Sequence, residues 1–370
     1  MKQTRSFVSI ISIFFVLALL VLAGCSVQEK GAAPLKLGFT GPLTGDAASI
    51  GIPDREAVQL AVEEFNAKSP KKIEVVYEDD RCEPKLGTTA VQKLMSQDKV
   101  PAIIGPLCSA VLLSSAPMLE EAKVIALSYG ATNPKIKDAG DYIFRVTPSD
   151  AGQGKKGAEM AKTQVVAKVA VIYRNDDWGV GLKDVFTTEA KNLGLEVVAV
   201  EAIEPGSNDA RTQLTKIKEA DPELIYMPVF PAETPTVLKQ AKELGFTIPM
   251  LGADASKDDA AIQAAGDAAE GLVVTLPGVP DSPEKESFTA KFKAKYNKEP
   301  SAYTYEAWDA ANILLNACAA TDCTGTGIKD YLYKLGMYRG ASGTFQFDAN
   351  GEVEKSYDIF EVKDGKFVKK

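Results

Sequence analysis

The sequence predicts an α/β protein built on parallel β-sheets, and its pattern and composition both support this class. From Leu35 onward, short apolar runs alternate with segments whose apolar residues recur three and four positions apart. Strands separated by single helices form right-handed βαβ units, which place the strands parallel in a sheet. With 45% hydrophobic and 25% charged residues, the chain has a globular composition and can bury sizeable cores. Its 370 residues exceed one ordinary domain and favour two.

Nine apolar runs are the candidate strands. They are Leu35–Phe39, Lys72–Glu78, Ala102–Gly105, Val124–Leu127, Lys168–Tyr173, Glu196–Ala202, Leu224–Met227, Pro249–Gly252 and Leu272–Leu276. Helical faces lie between them, for example from Ala57 to Phe65 and from Val237 to Leu244, where Gly245 is a C-cap. The nine strands can form one large sheet or two smaller ones.

The C-terminal part of the chain has a different pattern. Thr344–Asp348, a tight turn at Asn350-Gly351, and Tyr357–Val362 predict an antiparallel hairpin. Three breaks marked by proline or glycine are either crossings between two lobes or surface loops. They are Thr147–Ser149, Pro277–Pro283 and Gly340–Gly343.

The N-terminus predicts export and lipid attachment. Lys2 and Arg5 precede an apolar run, Phe7–Leu22, which is shorter than the roughly 20 residues that a membrane span needs. The run ends in Leu22-Ala23-Gly24-Cys25, the type of site that bacterial lipoprotein signal peptidase recognises, so Cys25 is the expected lipidation site. We therefore predict a signal peptide at residues 1–24 and a lipidated tether at 25–34. The alternative is a transmembrane anchor that happens to contain a cysteine.

The remaining four cysteines predict two disulfides in an oxidising compartment. Cys318 and Cys323 are five residues apart and are expected to pair locally, which leaves Cys82 to pair with Cys108. A metal site is the competing interpretation. It is disfavoured because the chain has no histidine and neither pair has the C-x2-C spacing.

Charge and motif content narrow the function. The formal charge of −8 becomes more negative once Lys2 and Arg5 are removed, which argues against nucleic acid or an anionic lipid surface as partner. No G-x-S-x-G elbow, phosphate-binding loop or dinucleotide fingerprint is present, and the paired acids Asp79-Asp80 and Asp176-Asp177 are weak evidence for hydrolysis. We expect neither enzymatic activity nor a cofactor.

Seven short motifs together resemble one family. They are Gly41-Pro42-Leu43-Thr44-Gly45, Asp79-Asp80-Arg81-Cys82-Glu83-Pro84, Ile104-Gly105-Pro106-Leu107-Cys108-Ser109, Ser128-Tyr129-Gly130-Ala131-Thr132-Asn133-Pro134, Asp177-Trp178-Gly179, Gly252-Ala253-Asp254 and Ser301-Ala302-Tyr303. In this order and spacing the chain resembles the substrate-binding proteins of branched-chain amino acid ABC importers, which have the type I periplasmic binding protein fold.

The resemblance implies two flavodoxin-like, parallel-sheet lobes joined by a three-strand hinge. Lobe one would hold residues 35–148 and 279–341, and lobe two would hold residues 149–278 and 342–370. The ligand would bind between the lobes, at the carboxyl ends of their strands, and hinge closure would bury it.

The resemblance also assigns residues to the charged groups of an amino acid. Ser109, the backbone of Gly130, and Thr132 would bind the carboxylate, and Asp254 would bind the ammonium. The alternative for Ser109, Thr132 and Asp254 is that they are ordinary helix N-caps. The relatives have glutamate where this chain has Asp254.

The side-chain pocket departs from the family pattern. Three tyrosines of the relatives are replaced by Trp178, Phe230 and Ile50, which makes the pocket more apolar, unless these residues are packing filler. Glu233, close to Phe230, is expected on the solvated surface.

The function that follows is capture of a small amino acid, aliphatic or aromatic, and its delivery to an ABC permease and ATPase complex. The protein would be an extracytoplasmic monomer that touches a bacterial membrane only through its lipid. Binding of amides, urea or aromatic carboxylates, or a ligand-sensing role, remains open.

Overall fold

Strands and helices alternate along the part of the chain that the structure, a computed structural model, describes: residues 34–370. The predicted signal peptide and Cys25 lie outside these residues. The strands are β1 Leu35–Gly41, β2 Ile73–Asp79, β3 Ala102–Ile104, β4 Ile125–Ser128, β5 Ile143–Arg145, β6 Lys168–Arg174, β7 Glu196–Ile203, β8 Leu224–Met227, β9 Met250–Gly252, β10 Val273–Pro277, β11 Tyr338–Gly340, β12 Gly343–Phe345, β13 Tyr357–Lys363 and β14 Lys366–Lys369.

The helices lie between these strands. They are α1 Ala48–Lys68, α2 Pro84–Ser96, α3 Ser109–Ala122, α4 Asp150–Thr163, α5 Asp177–Asn192, α6 Arg211–Glu219, α7 Thr234–Glu243, α8 Asp259–Ala265, α9 Pro283–Tyr296, α10 Thr304–Ala320 and α11 Gly325–Lys334.

The strands form two large sheets. The first has the order β2-β1-β3-β4-β5, and all its strands are parallel. The second has the order β14-β13-β10-β9-β8-β6-β7, in which β6 to β10 are parallel and the last two strands are antiparallel. A small third sheet pairs β11 with β12.

The chain passes between the two large sheets three times: after β5, after β10 and before β13. Helices α10 and α11 pack with the first sheet, for instance α10 against α1 and β3, and α9 contacts α1, where the Tyr296 hydroxyl donates to the Glu56 carbonyl. We call β1 to β5 with α1 to α3 and α9 to α11 the first-sheet side. The second-sheet side is β6 to β10, β13 and β14 with α4 to α8.

All nine predicted strands are present, with ends that differ by at most two residues, and they form two sheets rather than one. Strands β3 and β4 are buried throughout, as expected where helices cover both faces of a parallel sheet. The predicted helical face from Val237 to Leu244 is α7, and Gly245 follows it with a φ of +78°.

The predicted C-terminal hairpin is wrong. Asn350-Gly351 does lie in a turn, in which the Gly351 N–H bonds to Asp348, but its flanking segments do not pair with each other. Instead Gly343–Phe345 pairs with β11, and Tyr357–Lys363 pairs with β10 and β14. The tight turn of the true hairpin is Asp364-Gly365, with φ values of +51° and +70°. Two consecutive residues with positive φ form a turn whose twist matches that of a hairpin, which explains the pairing of β13 with β14.

The predicted cysteine pairing is confirmed. Cys82 pairs with Cys108 and joins the loop after β2 to the start of α3. Cys318 pairs with Cys323 at the end of α10.

Candidate functional site

The carboxyl ends of the central strands of both sheets converge on one small cavity. Its walls are Ala47, Ile50, Leu107, Cys108, Ser109, Gly130, Trp178, Phe230, Asp254, Ala255 and Tyr303. In each sheet the strand order reverses here, between β1 and β3 and between β6 and β8. The crevice at such a reversal is where open α/β sheets bind ligands. Six of the seven predicted ligand residues line this cavity, and Thr132 does not.

The cavity is small because the two sheet sides already meet around it. Its volume is about 20 Å³, which is room for about one water molecule. Tyr303, from the first-sheet side, donates a hydrogen bond to Asp254 on the second-sheet side. Entry of an amino acid therefore requires the walls to move apart.

Ser109 presents a hydrogen-bond donor to the cavity. It is the first residue of α3, and its hydroxyl oxygen accepts the backbone N–H groups of Thr132 and Asn133, both at 3.1 Å. Because the oxygen acts as acceptor in both bonds, the hydroxyl hydrogen is left to donate, and no residue in 34–370 accepts it. No side chain caps α3, whose first N–H groups lack intrahelical partners. A donor beside a helix N-terminus suits a carboxylate.

Gly130 contributes backbone to the wall. A Cβ atom there would lie 2.1 Å from Cδ1 of Leu107, so a side chain at this position would have to displace the Leu107 side chain. Thr132 lies behind this wall and does not line the cavity. Its hydroxyl donates to Asp150 at 2.8 Å, and its N–H group helps to orient the hydroxyl of Ser109.

Asp254 presents a carboxylate to the cavity. It begins a short 3-10 turn after β9 and is 2% exposed. One oxygen, Oδ2, accepts the Tyr303 hydroxyl, whereas Oδ1 has no hydrogen-bond partner among the described residues. Burial raises the pKa of Asp254 above its ordinary value, and the hydrogen bond from Tyr303 opposes this. A cation in the cavity would supply the missing partner and favour the ionised carboxylate.

The remaining wall is apolar. The rings of Trp178 and Phe230 are 5.1 Å apart between centroids, and Ile50 approaches from α1. Trp178 is in the first turn of α5, and Gly179 after it allows that turn to approach the backbone of Arg174. These three side chains suit an aliphatic or aromatic group.

The prediction that Glu233 is solvated surface is wrong. Glu233 is fully buried, forms an ion pair with Arg174, and accepts the N–H groups of Gly206 and Phe230. A buried carboxylate needs such partners, and its cation lies 59 positions away in the sequence.

Sequence reasoning gave no role to two further residues of the site. Tyr303 borders both this cavity and a second one of about 220 Å³, whose walls include Lys257 and Phe360. Asp150, fully buried behind Thr132, has a pKa well above its ordinary value because of burial and the nearby charge of Asp254. Tyr303 stood in a recognised motif and has a positive φ of 66°, but Asp150 had no local signal.

The adjacent acids of the sequence hold loops in place. Asp79 accepts the N–H groups of Leu43 and Thr44, Asp80 accepts the Thr40 hydroxyl, and Asp176 caps α5. Each of these three carboxylates therefore has a structural partner.

Within residues 34–370, no helix combines the length and the apolar character needed to cross a membrane.

Comparison with known proteins identifies similar chains over nearly the whole length. The sequence profile of the periplasmic binding protein family matches residues 34–366. An amino acid binding protein of Pseudomonas aeruginosa is 28% identical and covers 95% of this chain and 96% of its own. The structure of a leucine binding protein from Thermotoga maritima is 30% identical, with a TM-score of 0.84, over 91% of this chain and 97% of its own.

A more distant structure has the same fold. It is a solute binding protein of an ABC transporter from R. palustris in complex with benzoate. It is 20% identical, with a TM-score of 0.83, over 91% of this chain and 95% of its own.

Proposed function

This chain belongs to the periplasmic binding protein family, and on that premise we propose that it captures a small amino acid between its two sheets and delivers it to an ABC importer. The family has a solute-binding role in transport and implies an extracytoplasmic location. The proposal adds that the ligand is an aliphatic or aromatic amino acid and that binding is reversible and involves no chemistry.

One observation carries the proposal: the cavity has a buried carboxylate, Asp254, with one oxygen that no residue in 34–370 partners, and a hydroxyl donor at a helix N-terminus, Ser109. An amino acid carries the complementary pair of charges. A ligand without an ammonium would leave the Asp254 carboxylate unpaired in a closed site, which costs several kcal/mol.

The apolar wall formed by Trp178, Phe230 and Ile50 then receives the side chain of the amino acid. The leucine binding protein of Thermotoga maritima and the amino acid binding protein of Pseudomonas aeruginosa support this ligand class.

The proposal also includes closure of the two lobes over the ligand and attachment of the protein to a membrane. The two predicted lobes close by a hinge rotation, and the permease and ATPase of the importer accept the closed, monomeric protein. Lipid on Cys25 holds it at a bacterial membrane. A rotation is expected because the closed cavity is smaller than an amino acid.

Aromatic carboxylates are the second candidate ligands. The adjacent rings of Trp178 and Phe230 form an aromatic wall, and the benzoate complex shows that this fold accommodates such a ligand. For such a ligand, Asp254 would have to bind as the neutral acid.

A thermal-shift screen tests the ligand class. The chain from Ser26 onward, refolded to remove bound ligand, is heated with leucine, 4-methylpentanoate, leucinamide, phenylalanine and benzoate, because a ligand raises the unfolding temperature by mass action. A rise with leucine or phenylalanine but not with 4-methylpentanoate supports amino-acid binding. A rise with benzoate or leucinamide alone rejects amino-acid binding and favours the aromatic-acid or amide alternative, respectively.

A further inference from the structure

A buried arginine beside the cavity joins the two sheet sides. Arg174 ends β6, and its side chain is 5% exposed. Three carboxylates surround its guanidinium group: Asp176, Glu233 and Asp46. The first two belong to the second-sheet side, as Arg174 does, whereas Asp46 lies between β1 and α1 on the first-sheet side.

The two carboxylates on its own side hold Arg174 in place. Its Nε donates to Asp176 at 2.8 Å, and Nη1 donates to Glu233. Glu233 is fixed in turn by the N–H groups of Gly206, at 2.7 Å, and Phe230, at 3.0 Å. These contacts join residues of one sheet side, so they do not depend on closure.

The contact with Asp46 does depend on closure. Its Oδ2 accepts from both Nη1 and Nη2 of Arg174, each at 3.2 Å. The same oxygen lies 3.3 Å from where a Cβ would stand on Gly206, so the carboxylate packs against that loop of the second-sheet side. When the sheet sides separate, this ion pair breaks.

Arg174 also supports the cavity wall without lining it. Its guanidinium carbon lies 4.2 Å from the ring centroid of Phe230, which lines the cavity. Asp46 directly precedes Ala47 and is four residues before Ile50, both of which line the opposite part of the wall. The Arg174–Asp46 ion pair therefore connects a residue that packs on one apolar part of the cavity wall to a residue next to the opposite part.

We propose that the Arg174–Asp46 ion pair is a latch that forms as the two sides close over the ligand and that slows ligand release. Arg174 is thus a positioning residue, because it acts through Phe230 and Asp46 and does not line the cavity itself. The inference rests on the proposed function, since it assumes a bound ligand. The Asp46 side chain is 32% exposed, so salt should weaken the latch.

Stopped-flow release of leucine, followed by tryptophan fluorescence, tests the latch. Asp46→Asn is expected to raise the dissociation rate about tenfold with little change in the association rate, because removing a contact across a closed interface acts mainly on release. Asp46→Glu keeps the charge and should restore a rate near that of the parent. Raising the salt concentration should speed release from the parent but not from Asp46→Asn.

The matched control is Glu243→Gln. It removes the ion pair of Glu243 with Arg211, which lies wholly within the second-sheet side, and should leave the dissociation rate unchanged. A dissociation rate of Asp46→Asn within twofold of the parent overturns the latch. So does an equal rise in the control.

Failure of the proposed function gives a different result. If no compound in the thermal-shift screen binds the parent, amino-acid capture is rejected, and the latch, which rests on a bound ligand, is rejected with it. If leucine binds but Asp46→Asn releases it at the rate of the parent, only the latch is rejected.

Discussion

Replacing Asp254 by asparagine should change ligand affinity and protein stability in opposite directions. The substitution keeps the shape of the side chain and an oxygen that accepts the Tyr303 hydroxyl. It removes a negative charge that is buried in the closed structure and whose Oδ1 has no hydrogen-bond partner among the described residues. The ammonium of a bound amino acid would then lie beside a neutral amide.

The loss of affinity follows from that burial. Removing one partner of a buried ion pair costs about 3–5 kcal/mol, and a hydrogen bond to the remaining amide oxygen recovers part of it. A net cost of about 3 kcal/mol corresponds to roughly 100-fold weaker binding of leucine. Isothermal titration calorimetry at pH 7.5 measures this change.

Without added ligand, the closed form of the protein should become more stable at the same pH. Because burial raises the pKa of Asp254, the ionised carboxylate opposes folding at any pH above the unfolded-state pKa. Asparagine removes this cost, and the advantage should disappear as the pH falls toward 4, where the parent carboxyl binds a proton. Urea unfolding at pH 7.5 and pH 4 measures both values.

The matched control is Asp258→Asn. Asp258, four residues later, caps α8 by accepting the N–H group of Ala261, and asparagine caps helices equally well. Affinity and stability should both stay near the parent values. Unchanged leucine affinity in Asp254→Asn would refute the ammonium assignment, and a parallel loss of affinity and stability would refute the opposed-sign reasoning.

Three further changes are expected to have defined effects. Ser109→Ala should weaken leucine binding about tenfold and lower the free energy of unfolding by about 1–3 kcal/mol, because two buried N–H groups lose their acceptor. Removing the disulfide with Cys82→Ala and Cys108→Ala should cost about 3–4 kcal/mol in urea unfolding, from the entropy of closing the loop between residues 26 positions apart. Burial raises the pKa of Asp80 from 3.8 to about 6, so the parent should lose about 2 kcal/mol of stability between pH 4 and pH 7 that Asp80→Asn does not lose.

Each of these predictions has a control and a contradicting outcome. Ser115→Ala, in the same helix as Ser109, removes a buried hydroxyl that has no partner and should change neither affinity nor stability by a comparable amount. Reducing both disulfides of the parent should lower its free energy of unfolding by the cost of losing Cys82–Cys108 plus that of losing the second disulfide. A reduced protein with an unchanged free energy of unfolding would contradict the loop-entropy value. Parallel pH profiles for the parent and Asp80→Asn would contradict the raised pKa.

Much of the fold could be predicted because the central strands of parallel sheets are buried on both faces. Val124–Leu127 and Leu224–Met227 are short continuous apolar runs, each preceded by a charged residue, so each is recognisable locally. Ile143–Arg145 is not predicted because Arg145 interrupts the apolar run, and its burial depends on an ion pair with Glu352, 207 positions away. The C-terminal hairpin failed because Asn350-Gly351 and Asp364-Gly365 are equivalent turn signals, and only pairing with the distant strand β10 decides between them.

The site could be predicted only in part, because its residues depend on partners far away in the sequence. Ser109 and Asp254 were found through family motifs at strand ends, where the topology brings them to one cavity. Glu233 is predicted to be solvent-exposed because nothing in the sequence around a single carboxylate indicates that it is buried. Its environment is set by Arg174, 59 residues earlier, and no local pattern encodes such a pair.

The position of Tyr303 has a consequence for how this binding site evolves. Its ring is shared by the ligand cavity and the 220 Å³ cavity beyond it, and its backbone has a φ of +66°, a region that disfavours bulky side chains. Asparagine tolerates this backbone better, and a tyrosine codon becomes an asparagine codon by one base change. Tyr303→Asn would shorten the partition between the two cavities while relaxing the chain. If the cavity binds an amino acid as proposed, we therefore expect this single mutational step to shift recognition toward a longer solute.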